Sequence, residues 1–273
     1  MGNKTKIKMG RSTVFVRIVS YLVVTLFALI CLLPFILMIS ASFSTESVIN
    51  KEGFGLLPKG FTIAAYSWVF RYPKMIIGSY AVTILMTVGG TVVGLFIIAM
   101  TGYALQRKDF AFRNGISFFI YFTTLFSAGM APTFIWVSRY LNLKGNYMAV
   151  FLQLLMTPWL IILMKNFAKS VPHEITESGK IDGAGDFKIF ISLVLPMLKP
   201  ALATVGLFLA LGYWNEWYNS MLYLGSAVTY KPLQYYLYNI INQASALKSS
   251  VAGANVSVSS LPSNTLKMAT AVV

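Results

Sequence analysis

Lys165-Asn-Phe-Ala-Lys-Ser-Val-Pro-His-Glu-Ile-Thr-Glu-Ser-Gly-Lys-Ile-Asp-Gly-Ala-Gly-Asp-Phe-Lys-Ile-Phe190 interrupts two apolar stretches with a dense polar segment. The chain holds only eight acids, and Glu174, Glu177, Asp182 and Asp186 lie in this stretch. Pro172 suits a first helical turn, where its missing N–H loses no hydrogen bond, and Glu174 and Glu177 then sit near the positive end of the helix dipole. Ile175 and Ile181, with Ser178 between them, read as one face opposite Glu177 and Lys180. Gly183 and Gly185 end this helix. Asp182 or Asp186 is placed to cap the next one, which leads through Phe187 and Phe190 to Leu195-Pro196. A solvated connecting loop is the plain alternative, but connections between spans are usually shorter. A short amphipathic helix ending in a glycine turn is better explained as a surface for a docking partner, to which it can transmit a push.

Outward from that segment, the sequence divides at its charges into five stretches able to cross roughly 30 Å of hydrocarbon at about 1.5 Å per residue. They cover Ile18 to Ser40, Met75 to Gln106, Ile116 to Val137, Tyr147 to Met164 and Ala201 to Leu224. A sixth begins near Leu266 and reaches the last residue, Val273, too soon to cross. A truncated sixth span or a five-span chain with an external C-terminus both fit. Backbone in lipid must satisfy its own hydrogen bonds, and continuous apolar runs of this length suit helices, not alternating barrel strands. The expected fold class is an all-α integral membrane protein, with residues 1–273 forming one transmembrane domain. Pro34, Pro132 and Pro158 fall in or beside spans, where kinks are expected. Gly90 and Gly94 form a G-x-x-x-G pair that lets helix backbones approach.

The composition agrees, since 57% hydrophobic against 11% charged residues is far from the roughly 25% charged of a soluble domain. A net charge of +14 could suggest nucleic acid, but the basic residues flank apolar runs instead of forming a stripe, which makes them topology signals. Lys4, Lys6, Lys8 and Arg11 in the tail, Arg107, Lys108 and Arg113, and the basic residues of 165–199 place those segments in the cytoplasm. The N-terminus is then cytoplasmic, in a bacterial plasma or inner membrane. Residues 225–264 are expected outside, with Asn242 to Asn264 a mobile polar loop. The first apolar run is too long for the h-region of a signal peptide. Tyr66, Trp68, Trp136 and Trp159 read as interfacial belt or helix contacts. Cys31, the single cysteine, reads as a buried inert thiol, and His173, the single histidine, as a solvated residue with no metal role.

The stretch Glu177-Ser-Gly-Lys-Ile-Asp182-Gly183-Ala184, followed by Leu193-Val-Leu195-Pro196, resembles the EAA motif of binding-protein-dependent ABC importer permeases. Ser178 and Gly179 stand where the family has two alanines, and Leu193 where it has isoleucine. Six spans with this loop before the fifth is also the layout of the maltose-type permease family, a type I ABC importer fold. Phe126-Ser-Ala-Gly-Met-Ala-Pro132 and Gly212-Tyr-Trp-Asn-Glu-Trp-Tyr-Asn219 resemble its branch for complex oligosaccharides, including those related to polygalacturonan and rhamnogalacturonan uptake.

The resemblance implies a non-catalytic subunit beside a second, homologous permease, two cytoplasmic ABC ATPases that hold ATP and magnesium, and an external solute-binding protein or lipoprotein. No cofactor is expected on this chain, in keeping with the lack of a G-x-x-x-x-G-K-[ST] phosphate loop. By analogy Glu174, Glu177, Ser178, Gly179, Asp182, Gly183, Ala184, Leu195 and Pro196 couple the permease to the ATPases. For the solute path, Glu216 is the only acid within a span and is expensive facing lipid. With Tyr213, Trp214, Asn215 and Trp217 it offers acceptors and flat faces suited to an oligosaccharide. Its alternative is a place at the external interface or a pairing with a basic group. A permease for another solute and a secondary transporter are the rival functions; the latter needs more intramembrane ionisable groups than Glu216. An enzyme would need a catalytic constellation that no span carries.

Overall fold

The computed structural model is described over residues 11–252 and 263–272. Its helices run α1 (Arg11–Ser42), α2 (Glu46–Glu52), α3 (Ala64–Val69), α4 (Pro73–Gln106), α5 (Arg113–Leu125) and α6 (Met130–Ile135). Then come α7 (Met148–Leu155), α8 (Pro158–Ala168), α9 (His173–Ile181), α10 (Asp186–Ile189) and α11 (Leu195–Met197). The series ends with α12 (Lys199–Trp214), α13 (Tyr218–Tyr223), α14 (Leu233–Ala252) and α15 (Ser263–Val272). Among the described residues the fold is all-helical, as composition and periodicity predict. The sequence reads as one transmembrane domain, whereas the contacts group into two compact units, residues 1–71 with 239–273 and residues 72–238.

In the first unit, α1 is long and apolar enough to cross a membrane, and its residues from Ser12 to Ile36 are exposed, a surface suited to hydrocarbon. Cys31 lies on that exposed face, which corrects its reading as a buried thiol. Below it the chain becomes compact. Phe43 stacks between Phe61 and Tyr66, and the Ser42 and Tyr66 hydroxyls share a hydrogen bond of 2.9 Å. The buried Glu46 carboxylate accepts from the backbone N–H groups of Asn264 at 3.0 Å and Thr265 at 2.9 Å, and from Thr265 Oγ1 at 3.1 Å. A carboxylate at a helix N-terminus satisfies otherwise unpaired donors and opposes the helix dipole, so Glu46 fixes where α15 starts.

The second unit is built on α4, which packs along α12 and α8. Three glycines make this possible. A Cβ at Gly90 would lie only 2.2 Å from Cζ of the Tyr213 ring, one at Gly94 would lie 2.9 Å from the Leu155 carbonyl oxygen, and one at Gly102 would lie 2.9 Å from the Lys165 backbone nitrogen. The G-x-x-x-G pair thus admits a ring and a backbone, the close approach its spacing predicts.

Several predicted spans are not single helices. The third breaks at residues 126–129, with a 115° bend between Arg113–Leu125 and Met130–Tyr140. Gly129 takes φ +87° there, and Phe126 is extended. The fourth is interrupted at Met156 and Thr157, because a residue before proline is driven out of helical geometry, and Thr157 precedes Pro158. The fifth ends as a helix at Trp214 and resumes only at Tyr218, and at its other end it turns by 86° from Asp186–Met197. Pro196 and Pro200 bracket that elbow at Leu198 and supply no N–H to carry the ladder across. The expected external loop over 225–264 is corrected too: α14 occupies Leu233–Ala252, and α15 starts at Ser263. Residues 225–232 remain non-helical before α14, and residues 253–262 lie outside the described residues.

Candidate functional site

Helix α9 begins immediately after Pro172, which occupies its N-cap instead of its first turn. It ends in a complete glycine-terminated cap: the Ala184 N–H donates to the Gly179 carbonyl at 2.9 Å, and the Gly183 N–H to Lys180 at 3.0 Å. Such a cap needs a left-handed residue, and Gly183 has φ +75°. Asp182 therefore closes α9 instead of capping the next helix, and Gly185 takes the N-cap of α10. Asp186 lies in the first turn of α10, where its charge suits the dipole.

The faces of α9 differ from the predicted ones. Gly179 is buried, and Ile175 and Thr176 are half-buried, while Glu174, Glu177, Ser178 and Ile181 face outward. Ile181 is 85% exposed, and Phe187 beyond the turn is 63% exposed. The inward side is set by size: a Cβ on Gly179 would come within 3.0 Å of Ile189 and 3.1 Å of Leu193. Ile189, Phe190 and Val194 belong to the main core with Ile98, Tyr103 and Met164. What remains outside is an acidic ridge of Glu174, Glu177 and Asp182 beside two unburied apolar side chains. His173 Nδ1 lies 3.0 Å from Glu177 Oε1, one helical turn along the same ridge.

An ionic clasp, missed in the sequence, holds this ridge to the end of α4. Arg107 donates through Nε to Asp109 Oδ1 at 2.8 Å and through Nη1 to Asp186 Oδ1 at 2.7 Å. Lys180 Nζ donates to the other Asp109 oxygen at 2.9 Å. One guanidinium and one carboxylate thereby tie α9 and α10 to a single point. Arg107 is only 18% exposed and also lies over the Tyr103 ring, which stacks on Phe190. Hydrogen bonds from Arg107 and then Lys180 hold the Asp109 carboxyl well below the usual carboxylate range, and the same bond with Asp109 raises the Arg107 guanidinium.

Because the folded-state pKa of Asp109 is depressed, its contribution is complete above the usual aspartate value near ~4 and is lost as pH falls through the lower folded value. Amide exchange at Gly183 and Ala184 is therefore expected to be flat, after correction for intrinsic rates, from about pH 5 to 8 and to speed up only in strong acid. Asp109→Asn should loosen the turn at neutral pH by roughly fivefold, the scale of a solvent-exposed pair, and remove the acid dependence. An unchanged exchange rate in that variant would show the clasp to be ornamental.

At the C-terminal side of the segment, the Leu195 N–H reaches back five residues to the Phe190 carbonyl in a π-helical turn. Leu195 is half-buried and Pro196 exposed, just before the elbow. Motion of α10 therefore has a bonded route into α12.

The predicted solute-path residues cluster at the break after α12 but do not share one environment. Tyr213 is buried, its hydroxyl donating to the Phe151 carbonyl at 2.8 Å, so within this chain it packs against α7. Trp214 is half-buried, and exposed Asn215 turns its amide back to the Leu211 carbonyl at 2.9 Å. Glu216 is half-buried and accepts from the Asn219 backbone N–H at 2.6 Å and the Asn219 amide at 3.0 Å. It caps α13, a use of the carboxylate that neither sequence reading contained. Trp217 is partly exposed and meets Tyr238 at 4.8 Å and Tyr218 at 5.8 Å between ring centroids. This aromatic shelf extends beyond the predicted residues because Tyr238 comes from α14.

Residues 94–267 match the family described as binding-protein-dependent transport system inner membrane component. The chain is 40% identical over 249 residues to a polygalacturonan/rhamnogalacturonan transport system permease protein of Bacillus subtilis, covering 91% of this chain and 85% of that one. It is 26% identical to an arabinooligosaccharides transport system permease protein of Halalkalibacterium halodurans, covering 69% of each. Among solved structures, a bacterial ABC transporter involved in the import of the acidic polysaccharide alginate superposes with a TM-score of 0.77 at 30% identity, covering 98% of this chain and 95% of that one.

Proposed function

Because this chain belongs to the family of binding-protein-dependent transport system inner membrane components, and is thus a multi-pass permease subunit of an ABC importer, we propose that it passes an oligosaccharide inward on the power of partner ATPases. The observation that carries the coupling role is the exposed ridge of Glu174, Glu177, Ile181 and Asp182, clasped from behind by Arg107, Asp109 and Lys180. An outward acidic and apolar surface on a rigid mount is what a docking partner requires. The N-terminus and the ridge lie in the cytoplasm of a bacterial cell, where a pair of ATPases binds and hydrolyses ATP with magnesium. Their closure drives α9 as a lever. The clasp passes the motion to α4, and the π-turn and Leu198 elbow pass it to α12.

A homologous second permease completes the pore, and an external solute-binding protein or lipoprotein supplies the sugar. Trp217, with Trp214, Asn215 and Glu216 around it, forms the wall the sugar passes. The relatives named for polygalacturonan, rhamnogalacturonan, arabinooligosaccharides and alginate support that substrate class. In proteoliposomes holding the assembled transporter with ATP inside, offered a mixture of loaded binding protein, oligosaccharides, amino acids and peptides, mass spectrometry should find oligosaccharide uptake alone. Uptake of amino acids or peptides instead would end the sugar reading, and sugar entry without ATP would end the importer reading.

A further inference from the structure

Between α5 and α8 lies a cavity of about 250 Å³ whose walls include Leu105, Phe118, Tyr121 and Ile161, with Lys165 and Lys169 at its mouth. Lys165 Nζ donates to Ser117 Oγ at 2.7 Å, which fixes its charge over the slot. Lys169 Nζ donates to Asn166 Oδ1 at 3.1 Å. Arg113, at the start of α5, reaches only the Arg107 carbonyl, at 3.4 Å, and both it and Lys169 act electrostatically on Lys165. None of these three cations has a carboxylate partner among the described residues, since the nearby Asp109 and Asp186 are taken by Arg107 and Lys180. The result is an apolar slot under a positive mouth.

We propose that this slot binds an anionic phospholipid of the cytoplasmic leaflet, its phosphate at Lys165 and Lys169 and part of one acyl chain against Phe118 and Ile161. A soluble anion would use the cations but leave the apolar walls wet, and an uncharged lipid would leave the Lys165 and Lys169 charges uncompensated. Phe118 and Tyr121 are exposed on the outer side of α5, so a chain can enter from the bilayer. Basic pockets between membrane helices on the cytoplasmic side suit such headgroups. The proposal rests on the cytoplasmic placement of residues 107–113 and 165–199 given above. Its consequence is local: α8 leads directly into α9, so the lipid seats the base of the coupling ridge.

The test is native mass spectrometry of the intact transporter, purified with its partner subunits and loaded with phosphatidylglycerol or phosphatidylcholine. The wild type is expected to retain phosphatidylglycerol preferentially. Lys169→Gln, an exposed site whose change leaves the fold intact, should lower that retention about fivefold, and Lys165→Gln with Lys169→Gln roughly 25-fold, following about one factor of five for each basic group near a lipid surface. Equal retention of both lipids, or unchanged retention in the double variant, overturns the site. Displacement by millimolar glycerol 1-phosphate would assign it to a soluble anion, and a cross-link from Phe118→Cys to a partner subunit would make it a protein interface; either result also overturns it. In vesicles with phosphatidylglycerol confined to one leaflet, binding only from the leaflet opposite the ATPases would overturn the cytoplasmic placement while leaving the slot intact.

Discussion

Gly183→Val is expected to abolish coupled transport, lowering both binding-protein-stimulated ATP hydrolysis and uptake at least about tenfold, while Gly183→Asn keeps both within roughly threefold of wild type. Gly183 stands at φ +75° and donates to Lys180, and a Cβ there would meet nothing within 4 Å. Space inside the chain is therefore not the issue; backbone conformation is. A left-handed L-residue costs on the order of 1 to 2 kcal/mol, and a β-branched one is a worse fit still, whereas asparagine tolerates the region. Valine and asparagine are similar in bulk, so the difference between them isolates the turn from any clash with a docking partner. If the turn opens, α9 loses its angle to α10, and the ridge no longer presents Glu177 and Asp182 together. The measurement is ATP turnover and uptake by the reconstituted transporter, with the thermal midpoint as a control. Equal activity in the two variants would show that the cap does not set the docking surface.

Much of this turn was legible before the structure, because Pro172, Gly183 and Leu195-Pro196 carry local signals: a helix start, a glycine stop and a proline before a span. Faces were harder. Ile175 and Ile181 look alike in composition, but six positions apart they are about 120° apart on a helix and cannot share one narrow face. Gly179, with no side chain to suggest burial, is the residue that packs. The clasp was illegible for a different reason: Asp109 and Lys180 are 71 residues apart, and Arg107 and Asp186 are 79 apart. No periodicity records a pairing of that range. Apolar length located α1 and α4 but was blind to the break at 126–129, where lipid-compatible residues continue, and to the one at 215–217, where the polar pair Asn215 and Glu216 is flanked by aromatic residues. Glu216 was visible as costly, and its actual partner was Asn219, three residues further on.

Gly90→Ala is the prediction that separates packing from solute contact at Tyr213. Its new methyl group would overlap the Tyr213 ring, which is held by the hydrogen bond to Phe151 and by the Phe151 ring 5.8 Å away. Overpacking of a fixed core contact costs about 1 to 3 kcal/mol, and here the added atom would lie 2.2 Å from a ring carbon, so the upper end is expected. Gly89→Ala is the matched control, because its Cβ meets only Phe151 at an ordinary 3.8 Å and alanine is the better helix former by about 1 kcal/mol. The thermal midpoint of the purified transporter should fall sharply for Gly90→Ala and hold or rise for Gly89→Ala. Tyr213→Leu in the Gly90→Ala background should recover much of the loss, whereas Tyr213→Phe should not, since it removes the hydroxyl and leaves the ring in place. Coupling of that size between two substitutions marks direct contact. If instead Tyr213→Phe weakened sugar uptake through KM with no change in stability, Tyr213 would face the solute, and the solute wall would extend from Trp217 back into the interface of α4 and α12.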